Sequence, residues 1–202
     1  MSSVAGLVLA AGEGRRLGRP KALVRFEDQL LVERAVATLR EAGCARVVVV
    51  LGAAAHEVAQ TADLGDAVVV VNEAWPTGMG SSLCTGLRAL ADLHADAAVV
   101  LLVDQPRVSP ELVGRLVAHW STGISAVAAS YDGHRRNPVL LSASVWPELL
   151  GSAAGDAGAR GWLDAHADEV VLVACDDLGS DLDIDTAADL ERLTHDTAKD
   201  SA

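Results

Sequence analysis

Cysteine is scarce and unpatterned. Cys44, Cys84 and Cys175 are the three in 202 residues and lie far apart. They form no CxxC pair and no metal-ligand spacing, so reduced thiols in a cytoplasmic protein are expected rather than a disulfide scaffold or a zinc site. Long apolar runs are missing too. The longest, Ala97 to Val103, is seven residues, far too short to cross a bilayer. No basic segment followed by a long apolar stretch opens the chain, so no signal peptide is expected. Positive charge is in deficit, with 16 Lys and Arg against 28 Asp and Glu and a net charge of −12. That balance argues against a nucleic-acid surface, yet it leaves room for a small anionic ligand, because local charge decides that. No internal repeat and no linker rich in Pro, Gly or Ser divides the sequence. One domain over residues 1–195 with a flexible tail over 196–202 is the expected organisation.

What is present is hydrophobic pattern. Half of the residues are hydrophobic. Apolar runs at 4–10, 46–52, 67–71, 97–103, 125–130, 138–141 and 169–174 read as strands, several continuously apolar as in a sheet buried on both faces. Between them run helical patterns. In 29–42, Leu31, Ala35, Leu39 and Ala42 share one face and Gly43 is a stop signal. In 109–120, Ser109 fits an N-cap and Pro110 the first helical position. In 186–195, Thr186 and Asp189 have capping-box spacing. Strand–helix alternation predicts a single Rossmann-like three-layer α/β/α domain with a mainly parallel sheet. The six histidines show no metal spacing, and all but His134 read as surface or helix residues. Trp75, Trp120, Trp146 and Trp162 are expected to pack rather than to stack on a base.

Ligands of such sheets bind at the carboxyl ends of the strands, and three loops there carry chemistry. The first, "LVLAAGEGRRLGRPKAL" over 7–23, gathers scarce cations. From Gly12 to Arg25 the sum is five positive charges against one negative. Glycines let backbone approach a phosphate, and N–H groups with fixed cations neutralise it. The P-loop pattern fails, because Gly18 is followed by Arg19. The dinucleotide fingerprint fails too, since its third glycine comes one position late and Pro20 follows. The second loop carries Asp104 directly after a buried strand, and Ser109 leaves it free of capping duty. In the third, Asp181, Asp183 and Asp185 alternate, which puts them on one face of an extended segment. With Asp104 they suggest a shared hard cation, since Mg²⁺ takes one or two carboxylates plus substrate phosphates.

These residues together resemble the MobA-like nucleotidyltransferases, whose signature is LAAGxSxRMGxPK. "LAAGEGRRLGRPK" is followed in family order by "NEAWPTGMGSSLCTGL" (72–87), "VDQP" (103–106), "NPVLL" (137–141) and "DIDTAADL" (183–190). The resemblance runs to about residue 193 and is nearest to the molybdenum cofactor cytidylyltransferases. It implies a nucleotide-diphospho-sugar transferase type of fold and Mg²⁺-dependent transfer of an NMP, CMP from CTP, to molybdopterin or another phosphorylated acceptor. It implies Arg15 and Lys21 as catalytic cations on the triphosphate. Leu9, Ala10, Ala11, Gly12, Gly14, Gly80, Ser82 and Asp104 would contact or shape the nucleotide site. Asp104 with Asp183, Asp185 or both would hold the metal. It also implies transient contact with a molybdoenzyme maturation factor, and neither nucleic acid nor membrane as partner.

The chain departs from the pattern at Leu17, where relatives often have methionine, and at Arg136-Asn137-Pro138, where they often read GHP. The second departure falls on the acceptor side. "AAG" at 10–12 favours CTP, since guanylyl relatives tend to read AGG. The alternatives are the same chemistry with GTP or another acceptor, and a non-catalytic nucleotide-binding module on the same fold.

Overall fold

The computed structural model describes residues 3–153 and 155–200. The chain opens with β1 (Val4–Ala10), a short hairpin of β2 (Arg25–Phe26) and β3 (Gln29–Leu30), α1 (Leu31–Glu41), β4 (Val47–Leu51), α2 (Ala55–Thr61) and β5 (Val68–Val71). It continues with α3 (Met79–Asp92), β6 (Ala97–Leu102), α4 (Pro110–His119), β7 (Ala126–Tyr131), β8 (His134–Ser142), α5 (Trp146–Ser152), α6 (Arg160–Ala165), β9 (Val170–Ala174) and α7 (Ala187–Asp200).

Seven strands form one sheet in the order β5-β4-β1-β6-β8-β7-β9. Four neighbouring pairs are parallel, and β8 runs antiparallel between β6 and β7. The mainly parallel expectation therefore holds, with one reversal. That reversal is a β7–β8 hairpin turned by Asp132 and Gly133, both with positive φ. An Asp-Gly pair between two apolar runs is the sequence signal for such a turn.

Alternation along β1 builds both halves of the core. Val8 and Ala10 join Leu39, Leu112, Leu116 and Leu193 on the face covered by α1, α4 and α7. Leu7 and Leu9 join Leu83, Leu87 and Trp146 on the face covered by α3 and α5. This explains the unbroken apolar strands, each of which feeds two cores. The predicted helix starts are present. Ser109 Oγ accepts from Leu112 N at 3.2 Å, and Thr186 and Asp189 bond each other's backbone N–H reciprocally. The last helix runs past 195 to Asp200. Residues 201 and 202 lie outside the described residues.

The order places β1 at the switch point. From β1 the chain moves outward through β4 and β5, then returns to the other side of β1 with β6. The crevice opens where the paths diverge, at the carboxyl ends of β1 and β6.

Gly6 lets α1 approach the sheet. A Cβ there would lie 2.6 Å from Leu39 Cδ1 and 3.0 Å from Leu39 Cβ. Gly6→Ala is expected to cost about 1–3 kcal/mol through overpacking, a fall in Tm of roughly 2–10 °C. An unchanged melting curve by circular dichroism would contradict this account of the packing.

Candidate active site

The loop after β1 folds back sharply on itself. Leu17 N donates to Gly14 O at 2.9 Å. Gly14 has φ of +65°, and a Cβ there would sit 2.1 Å from the Arg19 carbonyl oxygen. Glycine is therefore required for the turn. Pro20 then leads into a 3-10 turn, Lys21–Leu23, anchored by buried Ala22. This anchoring aims Lys21 inward. Its Nζ lies 2.5 Å from Asp104 Oδ2 and 2.5 Å from Asp185 Oδ1. Arg16 Nη1 reaches Asp185 Oδ2 at 3.2 Å. Arg15 is 83% exposed, and its Nε meets Glu13 Oε2 at 2.8 Å.

Asp104 stands just past the end of β6, where Val103 N still donates to Leu9 O at 3.2 Å. Its own carbonyl accepts from Ile184 N at 2.8 Å. That bond, with Ile184 fully buried, clamps the acidic segment against the strand end. The three alternating carboxylates stay at this end of the sheet and take different partners. Asp185 turns to Lys21, Asp181 pairs with Arg136 at 2.7 Å, and Asp183 faces a cavity beside Asp104. Burial works against the Lys21 ammonium, but Asp104 and Asp185 outweigh it and hold its pKa above the usual lysine value. Burial and then the Asp104 charge push Asp183 above the ordinary carboxylate value, with Gln105 and Lys21 opposing.

Two cavities meet here. One, of about 400 Å³, is lined by the basic loop, Trp75, the start of α3 and Asp104. The other, of about 660 Å³, is lined by Arg135, Arg136, Arg160, Asp181 and Asp183. Leu9, Met79, Leu102, Asp104 and Asp156 belong to both. Among the predicted residues, Leu9, Ala11, Gly12, Gly14, Arg15, Lys21, Ser82 and Asp104 line the first cavity. The Ala10 side chain points into the core at 1% exposure, as its parity with Val8 requires, which leaves the backbone contact expected of it open. Gly80 is buried in the first turn of α3 and lines neither cavity.

Three tryptophans pack as expected, Trp146 and Trp162 buried and Trp120 against the core. Trp75 departs from that expectation and forms cavity wall. Its place between a strand end and the serine-bearing helix is the signal that marks it. The three expected metal ligands do not gather as one cage, and no such group of three or more His, Cys, Asp or Glu occurs among the described residues. The Lys21 ammonium is the cation between Asp104 and Asp185. The donor set nevertheless suits a hard cation, since it is all carboxylate oxygen and Asp104 Oδ1 is buried without a hydrogen-bond partner.

The MobA-like NTP transferase domain model matches residues 6–176. The chain belongs to that family. By family it is an enzyme of the nucleotidyltransferase class. The molybdenum cofactor guanylyltransferase of Cereibacter sphaeroides is 33% identical over 80% of this chain and 81% of its own length. The nicotine blue oxidoreductase of Paenarthrobacter nicotinovorans is 41% identical over 94% of this chain and 96% of its own. The crystal structure of Rv0371c from Mycobacterium tuberculosis superposes with a TM-score of 0.81 at 31% identity, covering 96% of this chain and 98% of that one. The same protein has been solved in complex with manganese. No helix among the described residues is long and apolar enough to cross a membrane.

Asp183 supplies a test of the site's electrostatics. Because the fold raises its pKa, ionising it costs stability as pH rises through that raised value, and the cost is absent below the ordinary carboxylate range. Asp183→Asn should therefore melt higher than the parent at pH 8, with the difference shrinking towards pH 4. A variant that melts lower at pH 8 would show that Asp183 stabilises the fold instead.

Proposed function

We propose that the protein transfers a nucleotidyl group, CMP from CTP, to the phosphate of molybdopterin or a related phosphorylated acceptor and releases pyrophosphate. The observation that carries this reading is the meeting of two cavities at Asp104, just past the end of β6. The first has the basic loop and Lys21 on its wall, suited to a triphosphate. The second has Arg135, Arg136 and Arg160, suited to an anionic acceptor. An oxygen of the acceptor phosphate attacks the α-phosphorus, and the bond to the β-phosphate bridging oxygen breaks in line. The attacking oxygen already carries negative charge, so no general base is required. Positioning and charge neutralisation carry the reaction.

Asp104, with Asp183 or Asp185, would hold Mg²⁺, which when bound supplies positive charge to the triphosphate. Lys21 and Arg15 then neutralise the charge that collects on departing pyrophosphate. Lys21 is held ready for this by the carboxylates that pair with it. The methyl of Ala11 on the cavity wall and the hydroxyl of Ser82 favour the smaller cytosine over guanine.

A second reading rests on the relative named as an oxidoreductase, which matches almost the full length of this chain. On it, the same cavities would hold a soluble reduced nucleotide and a planar dye. The three cysteines are buried and free and form no disulfide to relay electrons, so on this reading both electrons come from the reduced nucleotide.

One experiment separates the readings. Purified protein is screened for pyrophosphate release with the four NTPs, Mg²⁺ and molybdopterin, and in parallel for bleaching of nicotine blue with NADH or NADPH. Transfer with CTP is expected, and both Lys21→Ala and Asp104→Asn should lower it about 10²–10³-fold with unchanged circular dichroism. Dye reduction that survives Asp104→Asn, without pyrophosphate release from the parent, would replace the transferase reading. Calorimetry with Mg²⁺ should show CTP binding more tightly than GTP, with Ala11→Gly narrowing the gap. Equal affinities or a GTP preference would move the base assignment to guanine.

A further inference from the structure

Asn72 follows β5 directly and is 4% exposed. Its side-chain amide has one permitted orientation. Oδ1 accepts from the backbone N–H of Ala74 at 3.0 Å, and an N–H can only donate. The nitrogen therefore faces the other way, where Nδ2 donates to Ser81 Oγ at 2.8 Å and to Ser82 Oγ at 3.0 Å. Both amide protons are thereby used. Ser81 sends its own proton to the carbonyl of Ala74 or Gly78, at 3.0 and 2.9 Å. Ser82 differs. Among the described residues its hydroxyl accepts from Asn72 and donates to none. It is 4% exposed, and the residue lines the cavity that holds the basic loop. A buried hydroxyl with its proton unspent is a donor awaiting an acceptor.

The same asparagine fixes the wall beside it. Its carbonyl accepts from Trp75 N at 3.3 Å. Trp75 is pressed so closely on Gly52 that a Cβ there would lie 2.7 Å from Trp75 Cβ. One buried asparagine thus bonds a hydroxyl through its side chain and, through its main-chain carbonyl, helps to seat an indole on the same cavity.

We propose that Asn72 is a positioning residue for base recognition: by occupying an acceptor site of Ser82 it commits that hydroxyl to donate into the cavity, selecting a base with a ring acceptor at that point. The proposal rests on the reading of this cavity as the nucleotide site. Cytosine presents two acceptors, its ring N3 and O2. The corresponding edge of guanine presents two donors and one acceptor. A base that meets the Ser82 proton with a donor leaves both groups unmatched, which costs more than lost apolar fit.

Asn72→Asp is the discriminating change. It is nearly isosteric and keeps an acceptor for Ala74 N–H, but it can only accept from Ser82, so the hydroxyl proton turns away from the cavity. Affinities of the parent and variants for CTP, GTP and Mg²⁺-tripolyphosphate are measured by calorimetry, the parent first. In Asn72→Asp the CTP-to-GTP affinity ratio should fall about tenfold or more, with tripolyphosphate affinity within twofold. Ser82→Ala should lower the ratio similarly, and the double variant should lose no more than Ser82→Ala alone. An unchanged ratio, additive losses, or loss of tripolyphosphate binding in Asn72→Asp would each overturn the proposal, the last by making Asn72 merely structural. If Asn72→Asp does not fold, Ser82→Ala decides, and a retained ratio overturns the proposal. A parent that binds neither CTP nor GTP defeats the nucleotide reading itself, before any variant is compared.

Discussion

One ammonium between two carboxylates holds the carboxyl end of the sheet together. Lys21, Asp104 and Asp185 come from three loops, the two aspartates 83 and 164 residues after the lysine, and no backbone ladder joins all three. Lys21 is 16% exposed and Asp104 18%, so their charges are partly withdrawn from water and neither is comfortable alone. Each loop arrives by its own route: the basic loop by a glycine turn, Asp104 by the buried strand β6, and Asp185 by the bond from Ile184 to the Asp104 carbonyl. The pairing converts these independent routes into one crevice. It also holds close together two carboxylates that would repel each other without a cation between them.

The overall charge makes this arrangement selective. A chain carrying −12 repels anions at long range, but counterions screen that field within about 10 Å. Inside the crevice cations and carboxylates are interleaved: Arg15 and Lys21 stand with Glu13, Asp104 and Asp156 around the first cavity, and three arginines stand with four aspartates around the second, so an anion is met by individual cations rather than by a net positive field. Lys21 is one of two lysines in the sequence, the other being Lys199. The remaining cations are arginines, whose planar forks suit phosphate and carboxylate groups. The interior site therefore receives a compact point charge, while the cavity rims receive forks.

Much of this architecture is legible in the sequence because it is local. The buried strands appear as continuous apolar runs, and Ser109, Thr186 and Asp189 mark their helices through bonds to neighbours within three residues. The basic loop and Asp104 can be placed because a parallel sheet presents its strand ends to ligand. What escaped is set by tertiary contact. Trp75 has the composition of a packing residue, and only the position of α3 makes it cavity wall. Asp183 and Asp185 are two residues apart in a segment with no regular secondary structure. Their partners follow from Ile184 docking on Asp104, which no local pattern announces.

That docking has a consequence for how the protein comes into being. The sheet's outer strand β9 ends at Ala174, so all seven strands can be in place before the acidic segment is made. Two walls of the crevice, the basic loop and Asp104, belong to the first 104 residues. The third is Asp185, laid down only after every strand has been synthesised. A growing chain thus possesses its sheet and both cavity floors while Lys21 still has one of its two carboxylates. Assembly of this end of the sheet therefore follows synthesis of every strand, and a chain interrupted between residues 175 and 184 would carry all seven strands without the second carboxylate of Lys21.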